Sequence, residues 1–318
     1  MPHFRRRPLL AALPGLALMS AKALAQETPL KLGTATAGGG FPVYGAAFIK
    51  AIRAADPTLA IDEVNTKGST ENVPLLEAGK LDLALVQGEV VQDIFSGTGR
   101  PPTPLKVVTA MYASPGMFVV RADSPYRRIA DLKGRPVAWG ARGSGLVILG
   151  RYVVDGVGLD AEKDFAPVYL DRAGDGPAMV IDGRVAALWG GGTRWPGFVA
   201  VANAPGGARF IVPDAAEIDR ILARYGFLKR IIVPAGMFPG QTAAMPTVGS
   251  WSFVLARPGL DEAIGYRLAA ALHKAERTGA PSEQLSETTA KNTLDALPRP
   301  GTLQSGVARY DREIGLLP

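Results

Sequence analysis

Four short loops of the sequence combine glycine with other small or polar residues where a predicted strand ends and a predicted helix begins. They span residues 36–40, 68–72, 142–145 and 174–176. The first turn of a helix carries N–H groups without partners and a partial positive charge, which suits carboxylate or phosphate groups. Glycine lets the backbone approach such a group closely. A turn and a helix cap explain any single loop equally well, but four together favour a shared anion-binding site.

The candidate ligand contacts belong to these loops and to the ends of neighbouring strands. They are Thr36, Gly39, Gly40, Phe41, Tyr44, Ser69, Thr70, Asn72, Gln87, Arg142, Ser144, Gly145 and Trp189. Ser69 and Thr70 could cap their helix, contact the ligand, or do both. Arg142 could hold a carboxylate with two hydrogen bonds or form a surface ion pair. The aromatic residues, Trp139 among them, could line a pocket, although such side chains more often belong to the core.

The residue types that most catalytic and metal sites need are scarce. The sequence has no Cys, which excludes thiol chemistry and thiolate metal sites. Its two His are His3 and His273, and one of them lies in the predicted leader. The glycines at 38–40 lack the spacing of a dinucleotide-binding motif and the lysine of a P-loop. We therefore expect no enzyme activity, no metal and no cofactor.

The net charge of +6 does not indicate nucleic-acid binding. The first 25 residues hold Arg5, Arg6, Arg7 and Lys22 and no acidic residue, so the remainder has 31 basic and 29 acidic residues. These basic residues are scattered and are not interleaved with aromatics. Nucleic acid is therefore excluded as the main partner.

Residues 1–25 have the pattern of a signal peptide. The arginines at 5–7 precede an apolar segment over 8–19 that is too short to remain as a transmembrane helix. Ala23-Leu24-Ala25 is a small-x-small cleavage pattern, so the mature chain is predicted to begin at Gln26 and to reside in the periplasm.

The mature sequence alternates strands and helices. Strands near 30–33, 59–64 and 81–86 are separated by helices over 41–55 and 69–77, an order that predicts parallel strands covered by helices. The alternation restarts after Arg121, and Trp251–Ala256 is predicted to return the chain to the first unit. We therefore predict an α/β fold of two doubly wound lobes joined by hinge strands. Lobe 1 is assigned to 26–120 plus 248–318, and lobe 2 to 121–247. Ligands of such sheets bind at the carboxyl ends of the strands.

An ordered set of motifs extends over nearly all of the mature chain. It comprises Leu32-Gly33-Thr34 with Gly38-Gly39, Gly68-Ser69-x-x-Asn72, the segments 78–87, 131–138 and 143–145, and then 233–241, 247–249, Pro300-Gly301 and 310–315. Together these motifs resemble the TAXI family, the substrate-binding subunits of TRAP (tripartite ATP-independent periplasmic) transporters.

This resemblance implies a type II periplasmic binding protein fold that closes like a clamshell on a small organic acid or amino acid. It also implies a monomer that docks transiently to a TRAP-type membrane permease driven by an ion gradient. Gly40-Phe41-Pro42 stands where the family usually has Thr-Tyr-Tyr. The glutamate ligand known in the family is therefore not assigned to this protein. The alternatives are a receptor for an ATP-driven importer or a sensor, a periplasmic enzyme, and a structural surface protein.

Overall fold

The computed structural model describes residues 29–97, 100–279 and 282–318. The signal peptide predicted over 1–25 and its cleavage after Ala25 lie outside the described residues.

The first part of the chain alternates strands and helices as predicted. Its elements are β1 (Leu30–Gly33), α1 (Gly40–Ala55), β2 (Ile61–Val64), α2 (Ser69–Glu77), β3 (Leu83–Val86) and α3 (Gly88–Ser96). β1 pairs in parallel with both β2 and β3. The α/β alternation follows from short apolar strands that are punctuated by glycine-containing turns.

The central and C-terminal parts contain the remaining elements. They are β4 (Lys106–Arg121), β5 (Pro136–Ala141), α4 (Gly145–Val157), β6 (Ala166–Leu170), α5 (Gly176–Ile181), β7 (Ala187–Gly191), α6 (Pro196–Ala202), β8 (Ala208–Ile211), α7 (Ala215–Arg224), β9 (Lys229–Val233), β10 (Met245–Ala256), α8 (Glu262–Arg277), α9 (Ala290–Ala296) and α10 (Ser305–Glu313).

The strands form one mixed sheet with the order β2-β1-β3-β10-β4-β7-β5-β6, and β8 and β9 add to β4 and β10. β4 and β10 are long, antiparallel and central. The first part of β4 pairs with β10 and its last part with β7 and β8, whereas β10 pairs with β9 and then with β3. These two strands therefore link the two halves of the sheet.

The strand that was predicted to return the chain to the first unit is longer than expected, because β10 begins at Met245 and not at Trp251. β4 is one continuous strand that includes the apolar runs over 107–111 and 117–120. Pro115 lies inside this strand and is paired with Gly249 of β10. At the next residue β4 begins to pair with β7, so the missing N–H of Pro115 falls at the junction between two ladders.

The buried apolar residues fall into two groups. One group uses residues 30–111 and 253–307, and it covers both faces of the β2-β1-β3 half. The other uses residues 117–248 and surrounds β5, β6 and β7. In the described ranges no helix is long and apolar enough to cross a membrane.

Candidate functional site

A cavity lies between the two halves of the sheet, where the carboxyl ends of β1, β3, β5 and β7 face one another. It holds about 650 Å³ of space that protein atoms do not fill, including the part that opens to solvent. Its lining consists of Ala35, Thr36, Gly39, Gly40, Phe41, Lys67, Gly68, Ser69, Gln87, Tyr112, Ser114, Trp139, Gly140, Ala141, Ser144, Leu146, Ala173, Trp189, Gly191 and Trp195. The cavity therefore occupies the usual ligand position of an open α/β sheet.

Most of the candidate contacts border this space. They are Thr36, Gly39, Gly40, Phe41, Ser69, Gln87, Ser144 and Trp189. Gly145 lies directly behind them, since a Cβ added there would be 2.3 Å from Gln87 Cβ. The remaining candidates, Tyr44, Thr70, Asn72 and Arg142, have other surroundings.

Tyr44 and Asn72 are fully buried in the interior of their own half. The Tyr44 hydroxyl lies 2.9 Å from the Thr288 hydroxyl, and burial raises the pKa of the phenol. Asn72 Nδ2 donates to the carbonyls of Leu85 (2.8 Å) and Thr34 (2.9 Å). Asn72 thus joins the ends of β1 and β3, which explains a poor helix former in the first turn of α2.

Arg142 is exposed and does not line the cavity. Its guanidinium carbon lies 4.4 Å from the centre of the Tyr169 ring, so the side chain stacks on a neighbouring aromatic surface. Arg142 thus lies outside the lining of the cavity, and no ion pair of Arg142 is seen with the other described residues.

The cavity is closed by hydrogen bonds between the two halves. The Gly143 carbonyl accepts from the backbone N–H (3.3 Å) and the hydroxyl (3.1 Å) of Thr70. On the opposite side Gly174 N–H donates to the Ala37 carbonyl (3.2 Å), and Trp195 Nε1 donates to the Gly38 carbonyl (3.2 Å). Thr70 therefore acts at the closure of the cavity.

Glycine is required where the halves meet. Gly38 has a φ of +80°, and a Cβ on it would lie 2.4 Å from Gly174 Cα. A side chain at either of these positions would force the two loops apart.

Aromatic side chains form much of the wall. Phe41 and Tyr112 come from the first half, and Trp139, Trp189 and Trp195 from the second. Trp189 Nε1 donates to the Leu146 carbonyl at 2.7 Å. The indoles of Trp139 and Trp189 are 6.2 Å apart, so these two rings support each other.

Two buried donors at the cavity have no acceptor among the described residues, namely Trp139 Nε1 and Gln87 Nε2. The Gln87 amide lies near enough to Glu89 to affect the pKa of that carboxyl, but it forms no hydrogen bond of normal distance and angle. Gln87 Oε1 accepts from Ser252 at 3.0 Å, which fixes the orientation of the amide. Leaving a buried donor unsatisfied costs about 1–3 kcal/mol. For the Gln87 amide the neighbouring acceptor is Glu89, whose second oxygen also lacks a partner among the described residues.

The positive charge at the cavity comes from two sources, the first turn of α1 and the side chain of Lys67. α1 begins at Gly40 and no side chain of the described chain caps its first turn. Lys67, which is exposed, is the one ionisable side chain of the lining that carries a charge at neutral pH within the described ranges. α5, which follows the fourth predicted loop, has 6 residues and offers a much shorter dipole. The cavity is thus weakly electropositive.

Glu89 lies behind the cavity and is completely buried. Burial raises the pKa of its carboxyl to about 7, although a hydrogen bond from Ser250 (2.7 Å) acts in the opposite direction. Glu89 is therefore largely uncharged in mildly acidic solution.

Lys67, Tyr112 and Trp195 line the cavity but were not among the candidates. Trp195 follows Gly190-Gly191-Gly192-Thr193, which repeats the pattern of a strand, glycines, a hydroxyl residue and a helix. The same signal that selected the other loops could have found it. Lys67 adjoins the Gly68 loop, whereas Tyr112 lies within a long apolar strand and carries no such signal.

Comparison with known proteins agrees with this architecture. The NMT1-like family matches residues 32–315. The structure is similar to PhnD1 from Prochlorococcus marinus in complex with methylphosphonate, with a TM-score of 0.54 and 12% identity over 91% of this chain and 98% of that chain. It is also similar to a full-length BenM variant, with a TM-score of 0.50 and 11% identity over 82% of this chain and 71% of that chain.

A TctC solute-binding protein from Polaromonas has 18% identity and a TM-score of 0.48, over 83% of this chain and 88% of that chain. At such identities the structural likeness concerns the fold. It confirms the predicted α/β periplasmic binding protein fold. On the family match over almost its whole length, the chain belongs to the NMT1-like family.

Proposed function

We propose that the protein is an exported solute receptor, which captures a small organic anion in the cavity and releases it to a membrane permease. The observation that carries this proposal is the cavity itself, which the loops of the two halves close and which hydroxyl, amide and aromatic residues of both halves line. A ligand with oxygen acceptors could accept from the hydroxyl groups of both halves and would join them.

The proposed mechanism is closure of two lobes, residues 26–120 with 248–318 and residues 121–247. The separate buried clusters of the two halves support this division. The lobes would rotate about β4 and β10, which are the long strands common to both. Opening would separate Thr70 from Gly143 and Gly38 from Gly174, and ligand binding would restore these contacts.

The proposed partner is a TRAP-type permease that uses an ion gradient. This step is supported by the resemblance to the TAXI family and by the binding-protein fold. Uptake into membrane vesicles that contain a TRAP-type permease tests it: transport is expected with an ion gradient and without ATP. Dependence on ATP would favour an ATP-driven importer, and binding without any uptake would favour a sensor.

Export after cleavage at Ala25 is part of the same proposal. Periplasmic protein whose N-terminus is Gln26 is the expected result of cell fractionation followed by N-terminal sequencing. Full-length protein retained in the cytoplasm would contradict export. Light scattering of the mature protein is expected to give the mass of a monomer.

The first test is a thermal-shift screen of the mature chain from Gln26 against amino acids, mono- and dicarboxylates, sulfonates and neutral sugars. A ligand at a hundredfold excess over its Kd stabilises the folded state by about 2.7 kcal/mol, so a concentration-dependent rise in Tm is expected for organic anions. Mass spectrometry of the denatured protein detects a ligand that was carried through purification.

Absence of both a shift and a carried ligand would contradict the proposed receptor. Conversion of the bound compound into a product, followed by chromatography, would indicate an enzyme instead. A response to neutral sugars alone would contradict the anion assignment and leave the receptor role intact.

A further inference from the structure

We infer that the cavity selects a small monoanion with an apolar, aromatic body and no cationic group, so that amino acids are rejected. The inference rests on the proposed receptor function and narrows its ligand. It is carried by the hydrogen-bonding state of the polar groups at the cavity, by the lack of carboxylates in its lining, and by its aromatic wall.

The hydroxyl groups of the lining are oriented as donors. The oxygens of Thr36, Ser69 and Ser144 already accept from the N–H groups of Ala173 (3.2 Å), Gln87 (3.0 Å) and Leu146 (3.2 Å), respectively. Each hydroxyl therefore retains its own proton for a further bond.

Other groups of the lining point to the same chemistry. Gln87 Oε1 is occupied by Ser252, whereas Gln87 Nε2 and Trp139 Nε1 remain as buried donors. The uncapped first turn of α1 adds N–H groups at Gly40 and Phe41. The ligand must consequently present acceptors to this end of the cavity, as a carboxylate or sulfonate does.

A cationic group on the ligand would find no counter-charge there. Within the described ranges, neither Asp nor Glu lines the cavity. Glu89, a buried carboxyl next to Gln87, is outside the lining, and burial raises its pKa to about 7, so that it carries a full negative charge only above neutral pH. Burying an unpaired ammonium costs several kcal/mol, and this cost opposes every amino acid.

A second, adjoining cavity has one carboxylate in its lining. It shares Gly40, Tyr112, Gly191 and Trp195 with the main cavity and also contains Glu287, which does not line the main cavity. Glu287 Oε2 already accepts from Ala113 N–H at 3.0 Å. One oxygen of this carboxylate is therefore engaged with the backbone.

The remaining wall is suited to an aromatic ring. Phe41, Leu146 and the edge of Trp195 supply apolar surface, and Trp139 and Trp189 lie behind it in the core of the second half. An aromatic ring gains from offset or edge contacts with aromatic neighbours in addition to the burial of apolar area. Among the described residues, Lys67 is the single charged side chain at this lining, so a second carboxylate on the ligand would face the apolar wall.

Matched ligands test the inference by isothermal titration calorimetry of the mature chain. 3-Phenylpropanoate is phenylalanine without its ammonium group, and glutarate is glutamate without its ammonium group. We expect 3-phenylpropanoate to bind at least tenfold more tightly than phenylalanine, and more tightly than glutarate. 2-Phenylethanesulfonate distinguishes a carboxylate head group from a sulfonate head group.

A variant pair tests the role of the indole donor. Trp139→Phe retains a ring and removes Nε1–H, so the affinity for 3-phenylpropanoate is expected to fall about tenfold. Tyr266→Phe, in α8 and away from the cavity, also retains a ring and removes one donor, and as the control it is expected to keep wild-type affinity.

Three outcomes are distinguishable. Binding of phenylalanine or glutamate as tightly as of its deaminated analogue would overturn the inference and leave the receptor function standing. Equal loss of affinity in Trp139→Phe and Tyr266→Phe would remove the assigned role of Trp139. Failure of all of these ligands, of the wider screen and of mass spectrometry to reveal any bound compound would contradict the proposed function itself.

Discussion

Glu89 is a buried carboxyl with a hydrogen bond from Ser250 to one oxygen and no partner for the other among the described residues. Burial favours its neutral form, and the pKa rises from the ordinary value of 4.5 to about 7. In the folded protein Glu89 therefore keeps its proton in a pH range where the unfolded chain has lost it. Its contribution to stability is complete below about pH 4.5 and is lost as the pH rises to about 7 and above.

The free energy of unfolding should accordingly contain a Glu89 component that decreases by about 3 kcal/mol across this window. Urea unfolding of wild type and of Glu89→Gln at several pH values between 4.5 and 8 measures it. The difference between the two proteins isolates Glu89, because burial also raises the pKa of Asp311, to about 6. A pH-independent difference would contradict the assignment.

For single residues, the sequence indicated which side chains could contact a ligand, but not the direction in which each side chain points. Thr36, Ser69, Gln87 and Ser144 lie at the cavity, because each follows or begins an element at the carboxyl edge of the sheet. Asn72 belongs to the same edge, yet its amide turns inward to the Thr34 and Leu85 carbonyls. Residue type and spacing do not distinguish these two directions.

At the level of elements, α4 meets the opposite half through its first residue. Its first residue, Gly145, packs against Gln87, and Ser144 caps it through the Leu146 N–H. Closure of the cavity therefore depends on the absence of a side chain at the start of α4.

Gly145→Ala should impair closure, because its Cβ would lie 2.3 Å from Gln87 Cβ and 3.1 Å from Ser69 Oγ. We expect the affinity for the anion found in the screen to fall at least tenfold, while the far-UV circular dichroism spectrum is retained. Gly226→Ala is the matched control, since its Cβ would have ordinary contacts, the nearest at 3.9 Å. Unchanged affinity in Gly145→Ala would contradict the view that ligand binding requires this approach.

The elements nearest the N-terminus were predictable, and those around the central strands were less so. β1, α1, β2, α2 and β3 have short apolar runs with glycine punctuation, which defines both type and order. β4 was not recognised as one continuous strand, and Ser114-Pro115-Gly116 lies inside it although proline and glycine usually end a strand. Pairing with β10 on one side and β7 on the other keeps the segment extended, and such long-range pairing is absent from local sequence.

On the scale of the whole molecule, the fold follows from two α/β units that share β4 and β10. The cavity appears only when the loops of both units meet, which is why Tyr112, in the middle of a shared strand, was not predicted as a lining residue. The contacts across the cavity, from Thr70 to Gly143 and from Trp195 to Gly38, also depend on this arrangement. They are few and are mostly hydrogen bonds of loops, so they can open without disturbing either core.

Small-angle X-ray scattering of the mature chain, alone and saturated with the anion that gives the largest thermal shift, tests this account most directly. Closure of two lobes on a ligand predicts a smaller radius of gyration in the bound protein, and a scattering curve that matches the closed structure described above. Identical curves with and without a bound ligand would contradict the proposed opening and closing of the cavity.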